Sequence, residues 1–265
     1  MAAREVATWL EAAHESRELM RPPNKLLHWF KRNREAFLDA HVDAADWQGR
    51  MLSGATYAFW AATRPIMAAH CRGVVLDAGS GRGAWRRTIL DTATTYESIE
   101  FAPRHDHVPT WIGDVCEMSQ VPDARYDTVV CHQVLEHVRR PVAALGHMHR
   151  VLKPGGLLIV SVPHLSRRHE LPNDYFRYTQ EGLASTMSDA GFCVERIVAY
   201  GGVLAFVHHQ TSMLVPGLLA GIPVIGRLLV ALNAALSWSV VKLDEALDRA
   251  RLLPTGVIAV GRRGA

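Results

Sequence analysis

The sequence has no Cys-x-x-Cys pair, no run of one charge, no repeat and no uninterrupted apolar stretch of membrane length. Cys71, Cys116, Cys131 and Cys193 stand far apart. That spacing argues for reduced thiols in a cytosol and against a zinc knuckle or a disulfide framework. Behind the opening Met-Ala-Ala-Arg-Glu-Val no apolar core follows the Arg, so no signal peptide is expected. The stretch from Gly201 to Val241 carries Arg227 as its one full charge. Pro216, Gly217, Gly221, Pro223 and Gly226 nevertheless break it well before the roughly 20 apolar residues that a membrane span needs. Net charge is only +3, and there is neither a basic track interleaved with aromatics nor an Asn/Asp-Pro-Pro-Tyr/Phe motif. Nucleic acid is therefore not an expected partner.

What is present is globular. With 265 residues, 49% hydrophobic and 21% charged, the chain suits one large domain, or one domain with an appendage, that has a full core. Residues 4–21 and 24–38 read as helices separated by Pro22-Pro23, the second amphipathic and basic. Residues 51–70 read as a third helix, interrupted at Pro65. From residue 74 the pattern alternates. Strands are expected at 74–78, 96–100, 110–112, 126–131, 157–162, 192–199 and 256–260. Helices are expected at 84–92, 141–152 and 179–190, the last with Thr179 as N-cap and Gly191 beyond its end. Lys153-Pro154-Gly155-Gly156 reads as a turn, and 243–252 as a separate charged helix. Near-continuous apolar strands alternating with helices imply a parallel sheet covered on both faces.

The stretch that organises the chain is Asp77-Ala78-Gly79-Ser80-Gly81-Arg82-Gly83, set directly after the first strand. Glycines let the backbone bend sharply and let a ligand approach its N–H groups. The Gly-Lys-Ser/Thr ending of a phosphate loop is missing, and the third glycine follows the second too closely for a dinucleotide fingerprint. Two further acids close later strands: Glu100 about twenty residues on, with Glu97 as the alternative register, and Asp114 in Ile112-Gly113-Asp114-Val115. Then come Tyr126-Asp127-Thr128-Val129-Val130, His132-Gln133-Val134-Leu135-Glu136-His137 and Leu152-Lys153-Pro154-Gly155-Gly156.

Asp-x-Gly-x-Gly-x-Gly resembles motif I of the class I S-adenosylmethionine (SAM)-dependent methyltransferases. Residues 126–163 look like the strand-four, helix and strand-five block of the small-molecule, methyltransferase-11-like members. The resemblance covers roughly residues 70–200 and the final strand. It implies an α/β, Rossmann-like, doubly wound sheet of seven mostly parallel strands, with N-terminal helices and a helical insertion before the last strand. The expected organisation is a helical cap at 1–70, a SAM-binding core at 71–200, an apolar helical insertion or cap at 201–253 and the closing strand within 254–265.

The resemblance also assigns roles. Gly79, Ser80, Gly81 and Gly83 would carry the amino-acid part of SAM on their backbone, with Asp77 near its methionine end. Glu100, followed by Phe101, would accept both ribose hydroxyls. Asp114 would accept the adenine amino group, with the Val115 amide facing the ring. His132 and Gln133 would face the methyl group, and His132 and His164 are the candidate general bases. Tyr57, Trp60, His137, His169, Tyr175, Arg177 and Tyr178 are the candidate acceptor-binding residues, Arg177 being read either as holding an acid or as an internal ion pair. In relatives that make ubiquinone, an acidic-and-His cluster near Glu136 and His137 binds a divalent metal. Here His132-Gln133 stands where further acids would help, and no metal is expected. His147 and His149 point to different helix faces and are not a ligand pair.

The expected reaction moves a methyl group from SAM to O, N or C of a small, apolar, natural-product-like or lipid-like acceptor, leaving S-adenosylhomocysteine. The alternative is a protein of the same fold that binds SAM without transferring the methyl, as a pericyclase or a regulatory module. Beyond the small-molecule acceptor, residues 201–241 offer either a cap, a surface for a second copy or a peripheral membrane contact. The expected location is the cytoplasm, at a membrane surface in the last case.

Overall fold

The computed structural model describes residues 50–104, 107–212, 214 and 223–264, together with positions 29, 32 and 33. The expected helix at 4–21 and nearly all of that at 24–38 lie outside the described residues. Seven strands form one sheet in the order β3-β2-β1-β4-β5-β7-β6. They are β1 (Val74–Ala78), β2 (Thr95–Glu100), β3 (Trp111–Ile112), β4 (Tyr126–His132), β5 (Leu152–Pro163), β6 (Phe192–Tyr200) and β7 (Gly256–Arg263). β1 to β5 pair in parallel, while β7 runs antiparallel to both β5 and β6. The helices among the described residues are α1 (Gly54–His70), α2 (Arg86–Leu90), α3 (Pro141–Val151), α4 (Gln180–Asp189), α5 (Val203–Ser212) and α6 (Pro223–Leu247).

The two-residue period of a strand sends successive side chains to opposite faces. Leu76, Val129, Leu158, Val160 and Val257 meet Leu145 and Met148 of α3 and Leu183 and Met187 of α4 in one core. Val75, Val130, Ile159, Ile258 and Val260 meet Ala58 and Met67 of α1, Ile89, Ala205 of α5 and Val241 of α6 in the other. Both faces of the sheet are therefore covered, which is why its strands read as apolar runs rather than as alternating ones.

Four local expectations are corrected. Pro65 does not interrupt α1, which runs unbroken from Gly54 to His70. Pro65 lies on the exposed side of the helix, where water can satisfy the carbonyl that the missing N–H leaves free. α2 starts at Arg86 rather than residue 84, because Gly79, Gly81 and Gly83 all have left-handed φ angles, 76°, 56° and 71°, and a right-handed helix cannot begin among them. β5 starts at Leu152 and includes the expected turn. Tyr126 pairs with Leu152 and Thr128 with Leu157, so residues 153–156 bulge out of the ladder around Gly155, at φ 77°. The charged segment from 243 is not a separate helix but the end of α6, which stops at Leu247. As expected, Thr179 caps α4 by accepting from the Gly182 N–H, and Gly191 follows it at φ 90°.

α1, α5 and α6 are tied to one another by polar contacts. Asp244 of α6 is buried and accepts from the backbone N–H groups of Leu204 (3.0 Å) and Ala205 (2.8 Å), two orphan donors at the start of α5. Asn233 donates to the Leu52 carbonyl and Ser237 to that of Met51. The Gly54 N–H donates to Nδ1 of His208. The apolar stretch is thereby docked on α1, on the face of the sheet away from α3 and α4.

Candidate active site

The strand order reverses between β1 and β4, and a crevice at the carboxyl ends of strands flanking such a point is where open α/β sheets take ligands. A cleft of about 730 Å³ opens there. One part is lined by Gly79, Gly81, Glu100, Phe101, Asp114 and Val115, the other by Gln133, His137, His169 and Tyr175. The glycine turn, the ends of β2 and β3 and the 164–178 loop thus share one cavity.

Glu100 ends β2 with a buried side chain. Its carboxylate accepts from the N–H of Gly81 at 2.7 Å and from that of Phe101 at 3.0 Å, which orients it beside the glycine turn. Glu97 is the wrong register for this role. It accepts from Arg125, Tyr126 and Trp111 and does not line the cleft. Three positions apart on a strand, the two acids lie on opposite faces. Asp114 accepts from the Cys116 N–H at 2.8 Å through one oxygen. A Cβ on Gly81 would meet nothing within 4 Å, so bare backbone faces the open cavity. Two oriented carboxylates and an unobstructed glycine backbone fit the hydroxyls, amino groups and amino-acid part of SAM.

Other expected residues stand back from the cavity. Asp77 is buried and accepts from the Tyr96 hydroxyl at 2.9 Å. Burial pushes its carboxyl up to about 7; the Tyr96 hydrogen bond works against that and the Glu100 charge adds to it. Ser80 lies 3.0 Å from Nε2 of His107, and Gly83 packs against the same ring. His132 is buried against the rings of Phe59 and Trp85. Its Nδ1 is 3.0 Å from the Ser161 hydroxyl, its Nε2 has no hydrogen-bond partner, and burial pushes its pKa down to about 3. Nδ1 of His164 lies against the Tyr178 carbonyl, and the Tyr178 hydroxyl donates to that of Leu135. Tyr57 and Trp60 stack on each other in α1, in the packing of the opposite face.

Arg177 is an internal ion pair. It donates to both oxygens of Asp174 at 2.6 and 3.0 Å and to the Arg167 carbonyl, which braces the loop. The N–H groups of Tyr175 and Phe176 donate to the carbonyl of Glu136, fastening that loop to the 3₁₀ turn Leu135–His137. The sequence reading missed Gly113, Cys116, Val134, Arg139, Glu170 and Asn173 as lining residues. Only their place beside Asp114, His137 and Tyr175 could have signalled them.

Comparison with known proteins follows the same lines. Residues 12–196 match a family model described as "Methyltransferase domain". A probable S-adenosylmethionine-dependent methyltransferase of Mycolicibacterium smegmatis is 32% identical over 136 residues, which cover 46% of this chain and 52% of that protein. The chain spans about half the length of the curated relatives it matches. Among solved structures, the Burkholderia thailandensis 1,6-didemethyltoxoflavin-N1-methyltransferase, with S-adenosylhomocysteine bound, covers 92% of both chains at 16% identity and TM-score 0.51. The [4+2]-cyclase SpnF covers 78% of this chain and 82% of its own at 18% identity and TM-score 0.52. At these identities the two structures speak to the fold alone.

Proposed function

The chain belongs to the methyltransferase-domain family of SAM-dependent enzymes, with SAM as its cofactor, and we propose that it transfers a methyl group from SAM to O, N or C of a small-molecule acceptor. The observation that carries this reading is the single cleft at the switch point, in which Gly79, Gly81, Glu100 and Asp114 line one part and His137, His169 and Tyr175 the other. When bound, SAM supplies a methyl already activated as a sulfonium. The protein's part is then to hold it, to orient the acceptor in line and to exclude water. Glu100 would hold the ribose hydroxyls, Asp114 the adenine amino group and the glycine backbone the amino-acid part. Burial keeps His132 unprotonated but also makes it a weak base, and it does not line the cleft, so this reading does not rest on it as a general base.

The apolar acceptor favoured by the sequence rested on residues 201–241, and none of the described ones lines the cleft. His137, His169, Asn173 and Tyr175 suit an acceptor with hydrogen-bonding groups instead. The exposed side chains of Leu228, Leu232, Leu236 and Leu247 along α6 support a role for this helix at a membrane surface or against a second copy; liposome flotation and light scattering separate the two.

Isothermal titration with SAM and with S-adenosylhomocysteine tests the reading. Both should bind one per chain, and Glu100→Gln should weaken them about ten- to hundredfold, one to two steps of 1.4 kcal/mol. Binding of neither would end it. Release of S-adenosylhomocysteine during turnover separates methyl transfer from a non-methylating role on the same fold, such as a cyclisation or a regulatory binding function.

A further inference from the structure

The two buried carboxylate oxygens of Glu136 have no hydrogen-bond partner, although the side chain is fully inaccessible to solvent. A buried carboxylate left in this way is costly and calls for a counterpart. Two imidazoles stand beside it. Nε2 of His137 is 3.8 Å from Oε1, beyond hydrogen-bond distance. His169, brought over from the loop after β5, has its ring centroid 4.7 Å from that of His137, edge to face. One ligand atom from each of Glu136, His137 and His169 lies within 4.8 Å of the others.

The surroundings of the two histidines point the same way. Nδ1 of His137 lies 2.6 Å from the Asn173 carbonyl, and Nδ1 of His169 lies 3.1 Å from that of Arg167. A carbonyl can only accept, so the Asn173 contact puts the proton of His137 on Nδ1 and its lone pair on Nε2; Nδ1 of His169 also lies 3.4 Å from Nη2 of Arg177. An imidazole whose far nitrogen donates to a backbone carbonyl is the usual outer-shell arrangement of a metal-ligating histidine. A cation shared by the three residues satisfies all of them.

We propose that Glu136, His137 and His169 bind one divalent cation of the zinc class, with an open coordination position facing the cleft that His137 and His169 line. Two imidazole nitrogens and one carboxylate suit Zn²⁺ with a fourth, exchangeable ligand. They do not suit Mg²⁺ or Ca²⁺, which prefer oxygen throughout. At bonds of roughly 2.1 Å, tetrahedral ligand atoms stand about 3.4 Å apart, so a modest closure of the 164–178 loop completes the site. The third ligand is not an acid next to Glu136 but a histidine from another loop. The open position would take an oxygen or nitrogen of the acceptor. Metal binding does not depend on methyl transfer, so the site is tested on its own.

The full chain, stripped with chelator and dialysed, is titrated with ZnCl₂ and separately with MgCl₂, with far-ultraviolet circular dichroism as the fold control. The expected result is one Zn²⁺ per chain at micromolar affinity or tighter, with Mg²⁺ at least a hundredfold weaker. Glu136→Gln and His169→Ala should each weaken Zn²⁺ by at least thirtyfold. His169 is half-buried on a loop that the two Arg177–Asp174 hydrogen bonds still brace after its ring is removed, so this second variant keeps its fold should Glu136→Gln not. No stoichiometric Zn²⁺ binding, Mg²⁺ binding as tight as Zn²⁺, or wild-type affinity in folded His169→Ala each overturns the proposal.

Discussion

Asp77 and Glu100 close neighbouring strands and look equivalent in sequence, yet burial separates them. Glu100 lines the cleft and accepts two backbone N–H groups. Asp77 is enclosed, accepts from one tyrosine hydroxyl, and has its pKa pushed up to about 7 by burial. A folded-state pKa above the unfolded value means that the folded chain holds the proton longer. The stabilising effect is complete below about pH 4 and is lost as pH rises toward 7. For a fully enclosed carboxyl the span amounts to a few kcal/mol. Asp77→Asn retains an oxygen for the Tyr96 hydroxyl but does not titrate. Thermal unfolding from pH 4 to 7.5 should therefore show the wild type losing stability relative to this variant; parallel curves would refute the assignment. Glu97 shows how little residue type alone decides. Its carboxylate is as close to the strand end as a misregister would need, but it is spent on Arg125, Tyr126 and Trp111.

The helices were legible to unequal degrees. α3 and α4 carry their own start and stop signals, with Pro141 in the first turn of α3 and Thr179 capping α4. Their bounds follow from local chemistry. α5 does not carry such signals, and one acid 39 residues from its Ala205 does the work for it. Asp244→Ala should leave the N–H groups of Leu204 and Ala205 without acceptors in a buried setting, at a cost of about 2–3 kcal/mol. The urea midpoint should drop accordingly, and Asp244→Asn should recover part of the loss. An unchanged midpoint would mean that α5 starts without help. The glycine turn made the opposite point. Its three left-handed residues were visible as glycines, but that they keep α2 from starting among them follows only from their φ angles.

The described part of the molecule is a mostly parallel sheet between two cores, and its helices are not equally tied to it. α6 buries Ala234, Ser237 and Val241 and leaves Leu228, Leu232, Leu236 and Leu243 outward, so among the described residues one of its faces is spare. Leu232→Gln with Leu236→Gln should move the melting temperature by no more than about 2 °C, whereas Val241→Asp, which places a charge in the core beside α1, should prevent cooperative unfolding. Equal effects would show that the outward face packs against part of the chain after all. No helix among the described residues is long and apolar enough to cross a membrane.

From the sequence by itself came the apolar strands, their alternation with helices, the glycine turn and an acid at the end of each of three strands. These rest on a two-residue period, on φ angles that only glycine adopts cheaply, and on Pro and Thr at helix starts, all of which act within a few residues. The sheet brought together what lies far apart in the chain. It set Glu100 rather than Glu97 beside Gly81, enclosed Asp77 and His132, and carried His169 across to Glu136 and His137. Burial and cross-strand neighbours determine which acid stays charged, which histidine stays neutral and which carboxylate is left without a partner, and those neighbours exist only once the strands are in register.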